Sequence, residues 1–233
     1  MMVKRRPPAD KNGLSDFCGS LARHWNFRSS FELFRLNRPP ASPPQLLALS
    51  AWPSFEIYAE KMSFISEDGS YLLRVIENKM SGNLEGHLIH SHPQKYQQVF
   101  IELEGLTGEY LTDSHGLVNF GKIELDTSRV RVNLCSPVAI FKFKHLWSCP
   151  AVKIYPELIS TGWEQTVLDL EYFSATPDQV LKVQIGNIPE GREIARVVLV
   201  TNQQETLIAV PQKRLCLFEL PAGARDGQFN IYE

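Results

Sequence analysis

Three short stretches decide the fold: Leu84-Glu85-Gly86-His87-Leu88, then Val99-Phe100-Ile101-Glu102-Leu103-Glu104, then Thr112-Asp113-Ser114-His115-Gly116-Leu117-Val118-Asn119-Phe120. Each is short and rich in strand-forming residues, and Val99, Ile101 and Leu103 alternate with the acidic Glu102 and Glu104. That alternation is what a strand with one wet face requires. In the third stretch Asp113 is placed to accept backbone hydrogen bonds across a turn and Gly116 to take a positive φ. Val118 and Phe120 then re-enter a sheet on one face.

Outward from this core the same two-residue period continues. Phe55, Ile57 and Ala59 alternate with Glu56, Tyr58 and Glu60, and Glu67-Asp68-Gly69-Ser70 makes a turn before a strand over 71–76. Further strands are expected over 84–90, 99–104, 109–112, 117–125 and 130–134. No helical pattern lies between them, which argues for antiparallel pairing in a sandwich or barrel. A connecting stretch carries Phe141, Phe143, Trp147, Pro150 and Pro156. A second β-rich region follows, with strands expected over 166–173, 180–185, 194–201, 206–210, 215–220 and 229–232. Six short strands in this span suit an immunoglobulin-like sandwich.

The N-terminal quarter differs. Residues 1–53 hold seven of the 15 prolines and eight Lys/Arg against three Asp/Glu, a net of +5. The remaining 16 basic and 23 acidic residues give −7, so the formal −2 of the chain is a cancellation. Leu14, Phe17, Cys18, Leu21 and Trp25 recur at helical spacing, with Ser15 and Asp16 as capping residues, and Phe31, Leu33, Phe34 and Leu36 suggest a second short helix. Asn37-Arg38-Pro39-Pro40 ends it, and Ala41-Ser42-Pro43-Pro44 reads as a stiff linker. The expected division is therefore a basic helical segment over 1–53, a β-sandwich over 54–146 and a second β-sandwich over 147–233. The fold class is all-β.

Residues 82–135 resemble the carboxypeptidase regulatory-like domain, a transthyretin-like β-sandwich whose hairpin carries T-D-x-x-G-x-[aromatic]-x-[aromatic]. Here Thr112, Asp113, Gly116 and Phe120 match, Val118 replaces an aromatic, and Asp126-Thr127-Ser128-Arg129 stands where a G-x-Y is usual. The resemblance implies a non-catalytic accessory or interaction module, since this fold fixes no chemistry.

Candidate chemistry centres on histidine. Five of the six histidines fall in residues 87–145. On one strand His90 and His92 would share a face about 7 Å apart, a reach at which two imidazoles hold one metal. His-x-His followed by Pro93 also resembles the start of the first cupin motif, although the glutamate expected soon after is absent and Glu102 comes ten residues later. A metal-dependent cupin-like enzyme using His90 and His92, with Glu102 or His145, is thus the alternative to an interaction protein. Asp113, Ser114 and His115 are triad residue types, but they are consecutive and belong to the turn. Trp147 and Trp163 are available for sugar stacking, yet their apolar neighbours favour core roles.

No catalytic, cofactor-binding or metal-binding residue is assigned, and no cofactor is expected. Cys18, Cys135, Cys149 and Cys216 stand singly and are read as reduced thiols, which points to the cytoplasm. Lys4-Arg5-Arg6 leads into Pro7-Pro8 rather than the apolar core of a signal peptide, and no apolar run reaches membrane-spanning length. Basic stretches are too short for a nucleic-acid interface. The expected function is a non-enzymatic regulatory or accessory protein that binds an unidentified protein partner.

Overall fold

The computed structural model describes residues 23–25, 30–35, 57–104, 108, 110–124, 130–145, 151–174 and 179–233. In chain order the strands begin β1 (Arg23–Trp25), β2 (Ser30–Arg35), β3 (Tyr58–Ser66), β4 (Leu72–Asn78), β5 (Leu84–Ile89), β6 (Phe100–Leu103), β7 (Tyr110–Leu111), β8 (Leu117–Gly121) and β9 (Val132–Cys135). They continue as β10 (Ala139–Phe143), β11 (Ala151–Ile154), β12 (Leu158–Ser160), β13 (Val167–Ser174), β14 (Gln179–Gly186), β15 (Arg196–Thr201), β16 (Thr206–Ala209), β17 (Leu215–Glu219) and β18 (Gly227–Tyr232). A single 3-10 turn, Pro93–Lys95, is the helical element among the described residues. The protein is all-β, as its residue periodicity predicts.

The strands fall into two units, one of residues 28–137 and one of 138–233 joined by β1. The first is one eight-stranded sheet in the order β7-β6-β9-β2-β3-β4-β5-β8. Its two end strands, β7 and β8, are joined by the 112–116 turn and touch through Tyr110 and Phe120, whose ring centroids lie 5.0 Å apart. The sheet thus bends round until its two end strands touch. Alternate residues fill the interior: Phe64 on β3 opposes Leu73 on β4, which opposes Leu88 on β5, and all three are fully buried.

The second unit is a two-layered sandwich. One layer runs β1-β12-β10-β18-β15-β16 and the other β11-β13-β14-β17. Phe141, Leu199, Phe229 and Ile231 from the first layer share one buried cluster with Leu168, Leu170, Leu181, Val183 and Phe218 from the second. Phe229 stands within 5.1 Å of the Phe143 ring and 5.9 Å of the Phe218 ring, centroid to centroid. Trp163 is buried in the same cluster, so it is a core residue and not a sugar-stacking platform. Trp147 lies outside the described residues.

The N-terminal segment is strand and not helix where the structure describes it. Phe31–Leu36 was expected to be helical, but Ser30–Arg35 is strand β2, paired with both β3 and β9. Over six residues, apolar side chains at 31, 33 and 34 satisfy a helical and a strand period almost equally. Two-sided pairing inside a sheet then outweighs local preference. Leu33 faces inward and is 2% exposed, while Phe34 on the other face is 50% exposed. The helix expected from Leu14 to Trp25 ends instead as strand β1, parallel to β12, at Arg23–Trp25; its earlier part lies outside the described residues. The basic segment therefore supplies a strand to each unit. The boundary expected at 146/147 sits at 137/138, because β10 belongs to the sandwich.

Candidate functional site

Two regions gather the groups that could act on something outside the chain. The first is the histidine end of the eight-stranded unit. The Asp113 turn forms as its residue types predict: the Asp113 Oδ1 accepts the backbone N–H of His115 at 2.7 Å and of Leu117 at 2.9 Å. Gly116 takes φ +78°, and Val118 and Phe120 enter the core together. Asp113, Ser114 and His115 are thus consumed by the turn, with the Ser114 carbonyl accepting from the Gln97 side chain at 2.7 Å.

His90 and His92 do not share a strand face. Strand β5 stops at Ile89, and both histidines lie in the bend that leads into Pro93–Lys95. His90 is 7% exposed and packs on Tyr71, ring centroids 4.5 Å apart, whereas His92 is exposed. The ring centroids of the two histidines are 5.6 Å apart, but the Nδ1 of His90 accepts the backbone N–H of His92 at 2.9 Å. The Nδ1 of His92 in turn meets the Ser91 hydroxyl at 2.9 Å. One nitrogen of each ring is therefore engaged locally. Among the described residues no group of three His, Cys, Asp or Glu stands together to hold a metal ion. Glu102 is on the exposed face of β6, as the alternation predicts, and His145 belongs to the other unit, where its backbone N–H bonds Asp226 at 2.7 Å.

The electrostatics of this end follow from burial. His90 is held down to about 4, first by loss of water and then by the charges of Lys95 and His92, with Asp68 opposing. His87 is also lowered, by burial and then by Arg74, against the pull of Asp113 and the His115 backbone. Asp68 falls to about 2 because the Ser66 hydroxyl and the Ser70 backbone and hydroxyl all donate to it. Burial pushes the Tyr71 hydroxyl far up.

A pH dependence follows for His90. The unfolded imidazole takes a proton near 6.5 and the folded one only near 4, so the folded state binds fewer protons in that window. The stability that comes from keeping His90 neutral is fully present above pH 6.5 and is lost as pH falls toward 4. A His90→Asn variant is expected to show a distinctly shallower decline between pH 6.5 and 4 in urea unfolding. An unchanged slope rules out His90 as the source.

The second region is the outward face of the β11-β13-β14-β17 layer. Inward residues Leu168, Leu170, Leu181, Val183 and Ile185 fill the core, and their neighbours in sequence face out. Two ion pairs occupy part of that outward face: Lys182 reaches Glu171 at 2.7 Å and Lys153 reaches Asp169 at 3.5 Å. One corner is apolar instead. Phe173 opposes Val180 directly, Leu217 stands diagonally beside Val180, and Phe173 and Leu217 are 50% and 61% exposed. Ile208 on β16 and Val210 after it, 40% and 67% exposed, belong to the edge of the other layer and not to this corner. Sequence reading placed these strands but not the cluster, since which strand ends converge depends on register.

Cys216 is a free thiol, and burial raises it to about 11, which makes it unreactive. Among the described residues no helix is long and apolar enough to cross a membrane. No protein-family model, curated protein or solved structure matches this chain.

Proposed function

We propose that the chain is a non-enzymatic, cytoplasmic interaction or regulatory accessory protein built on β-sandwich modules. The resemblance of residues 82–135 to carboxypeptidase regulatory-like domains and the immunoglobulin-like reading of the second sandwich belong to the same proposal. The observation that carries it is the apolar corner at Phe173, Val180 and Leu217. Two large side chains stand more than half or half exposed on a face that also carries the Lys182–Glu171 and Lys153–Asp169 ion pairs. Clustered exposed apolar side chains rimmed by polar groups mark docking surfaces, whereas scattered ones need no explanation. The Asp113 turn, with its carboxylate capping two N–H groups, supports the first resemblance. The free thiol of Cys216 suits a reducing compartment.

Affinity capture with the full chain tests this. The expected result is a protein recovered by the wild type and lost with Leu217→Glu, while circular dichroism remains unchanged. Recovery that is indifferent to Leu217→Glu and to Phe173→Ser removes the apolar corner as the docking site.

A further inference from the structure

The edge of the six-stranded layer ends on β16, and its sequence is Thr206-Leu207-Ile208-Ala209-Val210, without charge, proline or glycine. Open edges in monomeric proteins usually carry Lys, Pro or a bulge that blocks further pairing. Strand β11, at an edge of the other layer, has Lys153 in that role. Strand β16 has nothing of the kind before Pro211.

The backbone N–H of Thr201 bonds the Glu205 carbonyl at 2.9 Å, so residues 201 and 205 form a hydrogen-bonded pair at the end of the β15–β16 ladder. Such pairs alternate along an antiparallel ladder. Leu207 and Ala209 therefore turn their backbone groups toward Leu199 and Val197, and Thr206, Ile208 and Val210 turn theirs outward. The side chains of those same three residues are exposed. Among the described residues no loop or turn bond takes up their outward N–H and C=O groups.

The charges at the two ends of the edge are opposite. Glu205 precedes β16, while Lys213 and Arg214 follow it, all three exposed and none in an ion pair among the described residues. Lys213 and Arg214 form the tip of a tight hairpin closed by Gln212 and Leu215. Both have positive φ, 51° and 69°, an arrangement that normally calls for Asn-Gly. The backbone thus holds two cations at one end of an uncharged edge.

We infer that β16 pairs antiparallel with β16 of a second copy of this chain, about a two-fold axis at Ile208. In that register Ile208 faces Ile208 of the second copy and Thr206 faces Val210, so the outward backbone groups of all three residues are satisfied. Residues that face the core stay opposite residues that face the core, and the layer continues across the axis. Each Glu205 comes beside the Lys213-Arg214 tip of the other copy, so both ends of the contact join unlike charges. Isologous pairing of this kind closes at two copies. It uses a surface other than the Phe173–Leu217 corner and rests on the interaction reading only in its general sense.

Sedimentation equilibrium of the full chain over a wide concentration range tests this. The expected result is a reversible monomer–dimer equilibrium in about the micromolar range, as suits a small edge contact, weakening with added salt. Ile208→Lys raises the dissociation constant about tenfold or more. Glu205→Lys, on an exposed turn where folding is not at stake, raises it by a smaller factor, and adding Lys213→Glu to Glu205→Lys restores much of the loss. Monomer at every concentration, a dimer indifferent to Ile208→Lys, failure of the second charge reversal to restore pairing, or open-ended aggregation would each overturn the second-copy contact. A monomeric chain leaves the Leu217 capture result standing, so failure of the two ideas is separable.

Discussion

Replacing Gly116 by Ala is expected to destabilise the unit of residues 28–137 by about 3 kcal/mol or more. Gly116 has φ +78°, and a Cβ there would lie 2.4 Å from the Leu88 carbonyl oxygen and 2.9 Å from Tyr96. The left-handed conformation costs an L residue about 1–2 kcal/mol by itself. The overlap adds more, because Leu88 donates its N–H to the Gly116 carbonyl at 2.8 Å and cannot move away without losing that bond. Gly69→Ala is the control: its φ is +71° but nothing lies within 4 Å of the added Cβ, so about 1–2 kcal/mol is expected. Hydrogen exchange is expected to show protection lost in β5 and β8 for Gly116→Ala, with β13 and β14 unaffected. Equal effects of the two substitutions would mean that the close approach of Leu88 does not exist in solution.

Phe229→Ala is expected to cost the sandwich about 3–5 kcal/mol. Phe229 is fully buried on β18, opposite Phe141 on one neighbouring strand and Leu199 on the other. It also touches the Phe143 ring and, across the two layers, the Phe218 ring. Strands fixed by two ladders cannot collapse into the space that its removal opens, which places the cost in the upper part of the range. Urea unfolding is the measurement, with Phe173→Ala as the comparison because that ring is 50% exposed and should cost far less. Similar losses from both would contradict the common core of the two layers.

Much of the architecture is legible in the residues themselves. Strand positions from Tyr71 to Val132 and from Val167 to Tyr232 follow from two-residue alternation and from turns such as Glu67–Ser70, where Asp68 gathers three donors. The Asp113–Gly116 hairpin is legible down to its hydrogen bonds, because a local turn depends only on local residues. Strands β10, β11 and β12 are not, since Ala139–Phe143 is buried almost throughout and shows no alternation, while β11 and β12 are short. Strand β2 is illegible for a related reason: its identity depends on β3 and β9, which are distant in sequence. The histidine pair reads as a ligand face only if β5 runs on to residue 92. It stops at Ile89 because the chain turns there, with His92 closing a backbone bond onto His90 and Pro93 beginning a 3-10 turn. The apolar corner was hidden for the opposite reason, being made by residues from β13, β14 and β17 that only register brings together.

Docking through the apolar corner of the sandwich is tested most directly by photo-crosslinking in the cell, with a photoreactive residue in place of Leu217 and, as a control, of Glu102 on the exposed face of β6. The predicted result is a discrete adduct from position 217, of a mass other than twice that of the chain, that is absent from position 102 and reduced by Phe173→Ser. No adduct from position 217, or the same adducts from both positions, would contradict it.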